Sequence, residues 1–277
     1  MVTLVLIGVL IGLVLGLTGA GGSVFAVPLL ILLAGFSMTD AVGLSLGTVA
    51  ASTIYASVRS GLQQHTILWK PGAILALVGA VSAPLGKWLG LQIPEPALIV
   101  GFSGLAVLIA LRMWFSAKRD PQAARVVRAG DFSSTSRPGL LCNLSQTGQF
   151  ELRPRCVSGL LAGGLIVGVL TGLFGVGGGF LIVPLLLALS PISMAQAVST
   201  SLMIIALVSS AGFASHLLLT DTHWPTLTLV ALGGIAGMML GQPLSQRIAN
   251  ALLQKLFSVS LLAVALITLV HKSLLAG

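Results

Sequence analysis

One apolar segment interrupted by glycines occurs twice in the chain, once in each half. The first copy reads GLTGAGGSVFAVPLL from Gly16 to Leu30, and the second reads GLFGVGGGFLIVPLL from Gly172 to Leu186. Each copy is followed, after a short gap, by the pattern Ser-Met-x-x-Ala-Val. We therefore predict two tandem homologous repeats, each with a helix broken by glycines, an organisation typical of membrane transporters.

The composition assigns these repeats to a lipid bilayer. Hydrophobic residues make up 56% of the chain and charged residues only 7%, and the mean hydropathy is +1.08. Such a chain has too few polar side chains to cover a water-soluble globule of this size. The apolar runs are continuous and longer than the roughly 20 residues of a spanning helix, whereas barrel strands alternate. The sequence thus predicts an all-α polytopic membrane protein.

Hydropathy predicts four apolar blocks on each side of a polar middle. We assign residues 1–115 to the first membrane repeat, 116–156 to a connecting loop and 157–277 to the second membrane repeat. The loop holds seven Lys and Arg residues against three Asp and Glu residues. The positive-inside rule makes this loop cytoplasmic in a multi-pass protein of the cell (inner) membrane. The positive charge of the loop is thus explained by the orientation of the protein in the membrane. We therefore expect no nucleic-acid partner.

Two cysteines, Cys142 and Cys156, lie in or beside this basic loop. Disulfides are rare in the cytoplasm. We therefore expect two reduced thiols.

The first apolar block, Val2 to Phe36, is too long for one straight crossing. As a helix it would extend ~50 Å, against a hydrocarbon core of roughly 30 Å. The glycines must break it, either into one bent crossing or into a re-entrant hairpin. A hairpin leaves three crossings per repeat and inverts the two halves, whereas a bent crossing leaves four and keeps them parallel. The distribution of Lys and Arg favours the inverted topology.

The glycine breaks are candidates for an anion site near the middle of the membrane. Unpaired backbone amides are tolerated at that depth only inside protein or beside a wet cavity. A helix that restarts after a break presents such amides at the positive end of its dipole, and glycines leave room for a ligand. The alternative is that the glycines only permit close helix packing. The predicted substrate-binding residues of the breaks are Gly21, Gly22, Ser23, Gly177, Gly178 and Gly179.

Hydroxyl groups on the helix after each break form a second set of candidates. They are Ser45 and Thr48 in the first repeat and Ser199 and Ser201 in the second. Each could donate a hydrogen bond to an oxyanion. Serine and threonine also bond to the preceding helical turn, so a structural role is equally open for each of them.

Few ionisable side chains lie near the predicted crossings. Lys87 either attracts anions or extends its ammonium to the membrane surface, and His216 is either proton-linked or interfacial. With Arg59 and His65 they are candidates for proton coupling or for the mouths of a pathway. We expect no Asp or Glu inside a crossing, which argues against a carboxylate-lined cation pathway. No catalytic or metal-binding motif is present, so we expect no enzyme, cofactor or metal.

At the two glycine segments, each followed by Ser-Met-x-x-Ala-Val, the chain resembles the sulfite exporter TauE/SafE family, also called TSUP transporters. The resemblance extends over both halves. It implies a membrane transporter whose partners are the lipid bilayer and a small sulfur-containing anion such as sulfite, thiosulfate or an organosulfonate. The first repeat has Thr18 and Ser23 where the second has Phe174 and Gly179, which predicts an asymmetric site.

Two other functions fit the same composition. One is an anion channel. The other is a membrane assembly subunit whose basic loop docks a cytoplasmic partner. The sequence leaves both open, and it indicates no oligomeric state.

Overall fold

The computed structural model of the protein describes residues 2–18, 23–64, 67–119, 142–144, 150–151, 154–175, 178–190, 192, 194–220 and 223–245. Its helices are α1 (Val2–Thr18), α2 (Ser23–Ala34), α3 (Met38–Gln64), α4 (Trp69–Gln92), α5 (Glu95–Arg119), α6 (Pro154–Phe174), α7 (Gly179–Leu189), α8 (Met194–Leu219) and α9 (Trp224–Ser245). The two-residue strands β1 (Asn143–Leu144) and β2 (Phe150–Glu151) pair antiparallel. The described part of the chain is otherwise all-helical.

Five of the described helices are long and apolar enough to cross a membrane, namely α3, α4, α6, α8 and α9. Shorter apolar stretches form α1, α2 and residues Pro96–Leu105 of α5. The prediction of a multi-pass, helical membrane protein is confirmed. The last predicted apolar block, 251–270, lies outside the described residues.

The surface and interior of the bundle have the polarity that lipid requires. Large aliphatic side chains point outward, and Leu77, Val81 and Leu218 are 68%, 74% and 86% exposed. Apolar surface of this kind is stable against acyl chains and rare on soluble monomers. The interior instead buries many hydroxyl groups, among them those of Ser45 and Thr171.

Helix α4 has two parallel neighbours, α6 and α8, and small residues bring the backbones close together. The pairs in contact are Leu75 with Gly164 and Ala83 with Gly172 on α6, and Gly72 with Met203 and Gly79 with Val208 on α8. Residue numbers rise together along each pair of helices. Therefore α6 and α8 both run in the direction of α4.

Helix α9 has the same relation to α1 and α3. The pairs in contact are Gly8 with Val230 and Gly16 with Gly241 on α1, and Thr48 with Gly234 and Ser60 with Gln242 on α3. A Cβ atom at Gly12 would overlap the carbonyl of Gly234, so this approach depends on glycine. Both α1 and α3 therefore run in the direction of α9.

The centre of the bundle is an antiparallel contact between α3 and α8. Gly43 packs on the imidazole of His216, and Gly47, one turn further along α3, packs on Phe213. Because the numbers rise on α3 while they fall on α8, the two groups of parallel helices run in opposite directions.

Helix α7 runs back along α6. Gly178, just before α7, packs against Val167 and Thr171, while Leu185 in the middle of α7 packs against Gly163. The end of α7 therefore lies beside the beginning of α6.

The cysteine expectation was wrong, because Cys142 and Cys156 form a disulfide in the structure. Their Cα atoms lie 4.9 Å apart, within the range that a disulfide spans. The backbone amide of Cys142 also donates a hydrogen bond to the Leu189 carbonyl, at 2.9 Å. The loop thus returns to the junction between the beginning of α6 and the end of α7, an arrangement that the spacing of two cysteines could not predict.

Candidate functional site

The second glycine segment lies between α6 and α7. Its flanking glycines, Gly175 and Gly178, have positive φ angles of 67° and 62°, which glycine adopts without strain. The amide of Gly175 donates to the Thr171 carbonyl at 2.9 Å. The hydroxyl of Ser45 on α3 donates to the Gly175 carbonyl at 2.7 Å. One predicted hydroxyl candidate therefore contacts the segment, although it binds the protein backbone.

Helix α7 begins without a side-chain cap. Gly178 is its N-cap residue in a left-handed conformation, and no cap hydrogen bond from a side chain is formed. A Cβ atom at Gly178 would collide with Val167 and Thr171. Since Gly178 is pressed against α6, the packing interpretation of this glycine also holds. The first turn of α7, starting at Gly179, offers amides to an acceptor from elsewhere.

Part of the predicted site lies outside the described residues, namely Gly21, Gly22, Gly177 and His65. Ser23 begins α2 and is fully buried. Helices α2 and α7 contact each other. The two helices that follow the glycine segments are therefore neighbours.

The other hydroxyl candidates differ in their bonding. Ser201 donates to the Val198 carbonyl at 2.8 Å, which satisfies it within its own helix. Ser199 is buried and has a partner of its own. Thr48 Oγ1 is buried with no hydrogen-bond partner among the described residues, as is Ser209 Oγ on α8. Among the predicted hydroxyls, that of Thr48 can therefore donate a hydrogen bond to a ligand. The hydroxyl of Ser209 can do the same, and the sequence analysis did not single it out.

Lys87 and His216 lie inside the protein. Lys87 is 3% exposed and His216 2%, so Lys87 does not extend to the membrane surface. Lys87 interacts electrostatically with Asp40 and with His216. The His216 ring stacks near Phe213, with 6.5 Å between centroids, and its Nδ1 lies 3.2 Å from Thr220 Oγ1.

Asp40 contradicts the expectation of crossings without acidic residues. It belongs to the first turn of α3, within the span Met38–Gly61. The Ser37 hydroxyl donates to Asp40 Oδ2 at 2.7 Å and accepts from the Asp40 amide at 3.2 Å. Ser37 thus caps the beginning of α3, and the carboxylate of Asp40 lies in its first turn.

Arg59 lies near the other end of α3, far along the helix from Asp40. Its guanidinium donates to the Tyr55 hydroxyl at 3.4 Å, and the side chain is half-buried. Arg59 is thus separate from the Lys87 and His216 pair.

The protein is a bundle of apolar helices with lipid-facing aliphatic side chains, interrupted helices and buried polar groups. This architecture is typical of a polytopic membrane transporter. The comparison with known families narrows this class. The sequence model described as "Sulfite exporter TauE/SafE" matches residues 4–268. The chain belongs to the TauE/SafE family, and the resemblance at the glycine segments is confirmed.

Relatives carry names of the same kind. A "Probable membrane transporter protein" of Xylella fastidiosa (strain 9a5c) is 30% identical over 94% of this chain and 91% of its own. The "Probable membrane transporter protein YunE" of Bacillus subtilis (strain 168) is 27% identical over 95% of each chain. No solved structure matches the chain significantly.

Proposed function

We propose that the protein is a secondary transporter of small sulfur-containing anions, such as sulfite, thiosulfate or an organosulfonate. The observation that carries this proposal is the second glycine segment. Two buried glycines of positive φ, Gly175 and Gly178, lie there, the Ser45 hydroxyl donates to the Gly175 carbonyl, and a helix without a side-chain cap begins after Gly178. The description of the family as sulfite exporters supports sulfur oxyanions as the cargo.

The anion would bind between the beginnings of α2 and α7. Amides of their first turns, at Ser23 and Gly179, would donate to its oxygens at the positive ends of two helix dipoles. Gly21, Gly22, Gly177 and Gly178 would allow the close approach. The hydroxyl of Thr48 would donate as well, with Ser199 and Ser201 as the corresponding groups of the second repeat.

Each glycine segment would form the tip of a re-entrant hairpin. Helices α1 and α3 both run parallel to α9, so α2 between them has to run back; α7 lies between α6 and α8, which both run parallel to α4. The contact of Leu185 with Gly163 supports the same path. A hairpin and three crossings per repeat give repeats 1–115 and 157–277 an inverted relation, which alternating access exploits.

The same directions bring the end of α3 and both ends of the 116–156 loop to one side of an inner membrane. The excess of Lys and Arg makes this side cytoplasmic. The disulfide argues for the opposite side, because disulfides persist in oxidising compartments. The loop has seven basic residues and one disulfide, so we assign it to the cytoplasmic side.

The test is counterflow of labelled sulfite or thiosulfate in liposomes that contain the purified protein. We expect saturable exchange, and we expect Gly178→Ala to abolish it because the new Cβ would collide with α6. Gly104→Ala is the control, since nothing lies within 4 Å of its Cβ. Exchange by a folded Gly178→Ala protein at the wild-type rate would contradict the site. Leakage without trans-stimulation would indicate an anion channel instead.

A further inference from the structure

The side chain of Lys87 is buried, and no described residue binds its ammonium directly. It is 3% exposed in the interior of the helix bundle. Among the described residues its ammonium has no hydrogen bond and no ion pair, and the carboxylate that acts on it through space is Asp40. A buried charge without a close partner is strongly destabilising, and in membrane proteins such groups generally serve function.

The ionisable groups nearest to Lys87 do not bind its ammonium directly. Asp40 is engaged by the Ser37 hydroxyl at the beginning of α3. His216 brings a second nitrogen-bearing group and no negative charge, and its ring is held between Gly43 and Phe213. These three groups, on α3, α4 and α8, are therefore one ammonium, one carboxylate that is hydrogen-bonded to Ser37, and one imidazole.

This group lies beside the second glycine segment. The backbone of Lys87 packs on Gly172, three residues before Gly175. On α3, Gly43 contacts His216, and Ser45, two residues later, donates to the Gly175 carbonyl. A charged subsite here would adjoin the binding region described above.

The residues equivalent to Lys87 and His216 in the opposite halves offer an internal control. Aligning Gly86 with Gly241 places Gln242 at the position of Lys87, and Ser60 corresponds to His216. The Gln242 side-chain amide donates to the Ser60 hydroxyl at 3.1 Å across α9 and α3. Since a neutral pair joins α3 and α9, the helices equivalent to α8 and α4, packing does not require an ammonium at position 87.

We propose that Lys87, with His216 beside it, forms an anion-binding subsite at one end of the transport path, and that it takes an oxygen of a small oxyanion by charge-assisted hydrogen bonds. The subsite rests on the proposed transport of such anions. Its partner at the other end, Gln242 with Ser60, is neutral, so the two ends bind the anion unequally.

The test replaces Lys87 by the residue of its internal counterpart. Lys87→Gln should raise the KM for thiosulfate in liposome counterflow about tenfold or more, because one charge-assisted hydrogen bond is lost. Lys87→Arg should retain most of the affinity. Lys70→Gln, the same change at an exposed position of α4, should leave KM unchanged. A wild-type KM for Lys87→Gln would overturn the subsite.

A second measurement separates this proposal from the proposed function. The melting temperature of purified protein is recorded with sulfite, thiosulfate, sulfate and chloride. Anions should stabilise the wild type, whereas Lys87→Gln should melt higher than wild type without anions and gain less from them. If no sulfur oxyanion is exchanged, the transport proposal fails, and the subsite still stands if Lys87→Gln removes stabilisation by any of the three oxyanions; stabilisation by chloride alone would overturn it. No stabilisation of the wild type would overturn it.

Discussion

The side chain opposite Gly43 requires a glycine at this position. Its α-carbon faces the imidazole of His216, and a Cβ atom would overlap the ring. The ring has little space to retreat, because it is 2% exposed and stacks near Phe213. Glycine at this position therefore allows α3 and α8 to approach while His216 stays inside.

We expect Gly43→Ala to destabilise the protein by roughly 1–3 kcal/mol, the usual penalty of overpacking. Gly61→Ala on the same helix is the matched control, because its Cβ would meet Ile67 at an ordinary 3.5 Å and alanine favours helix by about 0.5–1 kcal/mol over glycine. Thermal unfolding in detergent measures both. Equal melting temperatures for the two variants would show that His216 is not held against α3.

Single residues also mark the limit of what the sequence predicts. The repeated glycines indicate the interruptions directly, because the pattern is local. The burial of Lys87 and the contact between Gly43 and His216 depend on which helices become neighbours, and one sequence does not contain that pairing. The Cys142–Cys156 disulfide likewise depends on contacts of the folded chain that the sequence does not show.

At the scale of the helix, the position of α7 supports the re-entrant hairpin that we propose over a bent crossing. A bent crossing would separate residues 163 and 185 by about 25 Å along the two helices at 1.5 Å per residue. In the structure the Leu185 side chain instead contacts Gly163. The 3.6-residue periodicity of apolar helices does not indicate direction, so this choice could not be made from the sequence.

We expect Gly163→Cys with Leu185→Cys to cross-link under mild oxidation, in a chain whose native cysteines are replaced by serine. Leu161→Cys with Leu185→Cys is the control, because Leu161 is 44% exposed on the outer surface. Mobility on a denaturing gel after cleavage between the two positions detects the link. A bent crossing would leave both pairs unlinked.

At the scale of the molecule, two groups of parallel helices pack in opposite directions. One group contains α4, α6 and α8, and the other contains α1, α3 and α9. Each group combines helices from both halves of the chain. The repeated glycine segments predict two similar halves. Which helices of one half pack against helices of the other is known only from the contacts of the folded protein.

The inverted arrangement makes a specific prediction about the two faces of the membrane. With the 116–156 loop inside, it puts Ile93 and His223 outside and Lys70 inside, and all three are exposed in the structure. A parallel arrangement would move only His223 to the inside. We therefore expect a membrane-impermeant maleimide on intact cells to label Ile93→Cys and His223→Cys, in a background without native cysteines, and to label Lys70→Cys only after permeabilisation.

Each alternative gives a different labelling pattern. Protection of His223→Cys with labelling of Ile93→Cys would mean parallel repeats. Labelling of Lys70→Cys alone would mean that the whole molecule has the opposite orientation in the membrane. The 116–156 loop would then lie in the oxidising compartment, where a disulfide between Cys142 and Cys156 persists. The Lys and Arg excess of that loop opposes such an orientation, so positions 93 and 223 should react together from the outside.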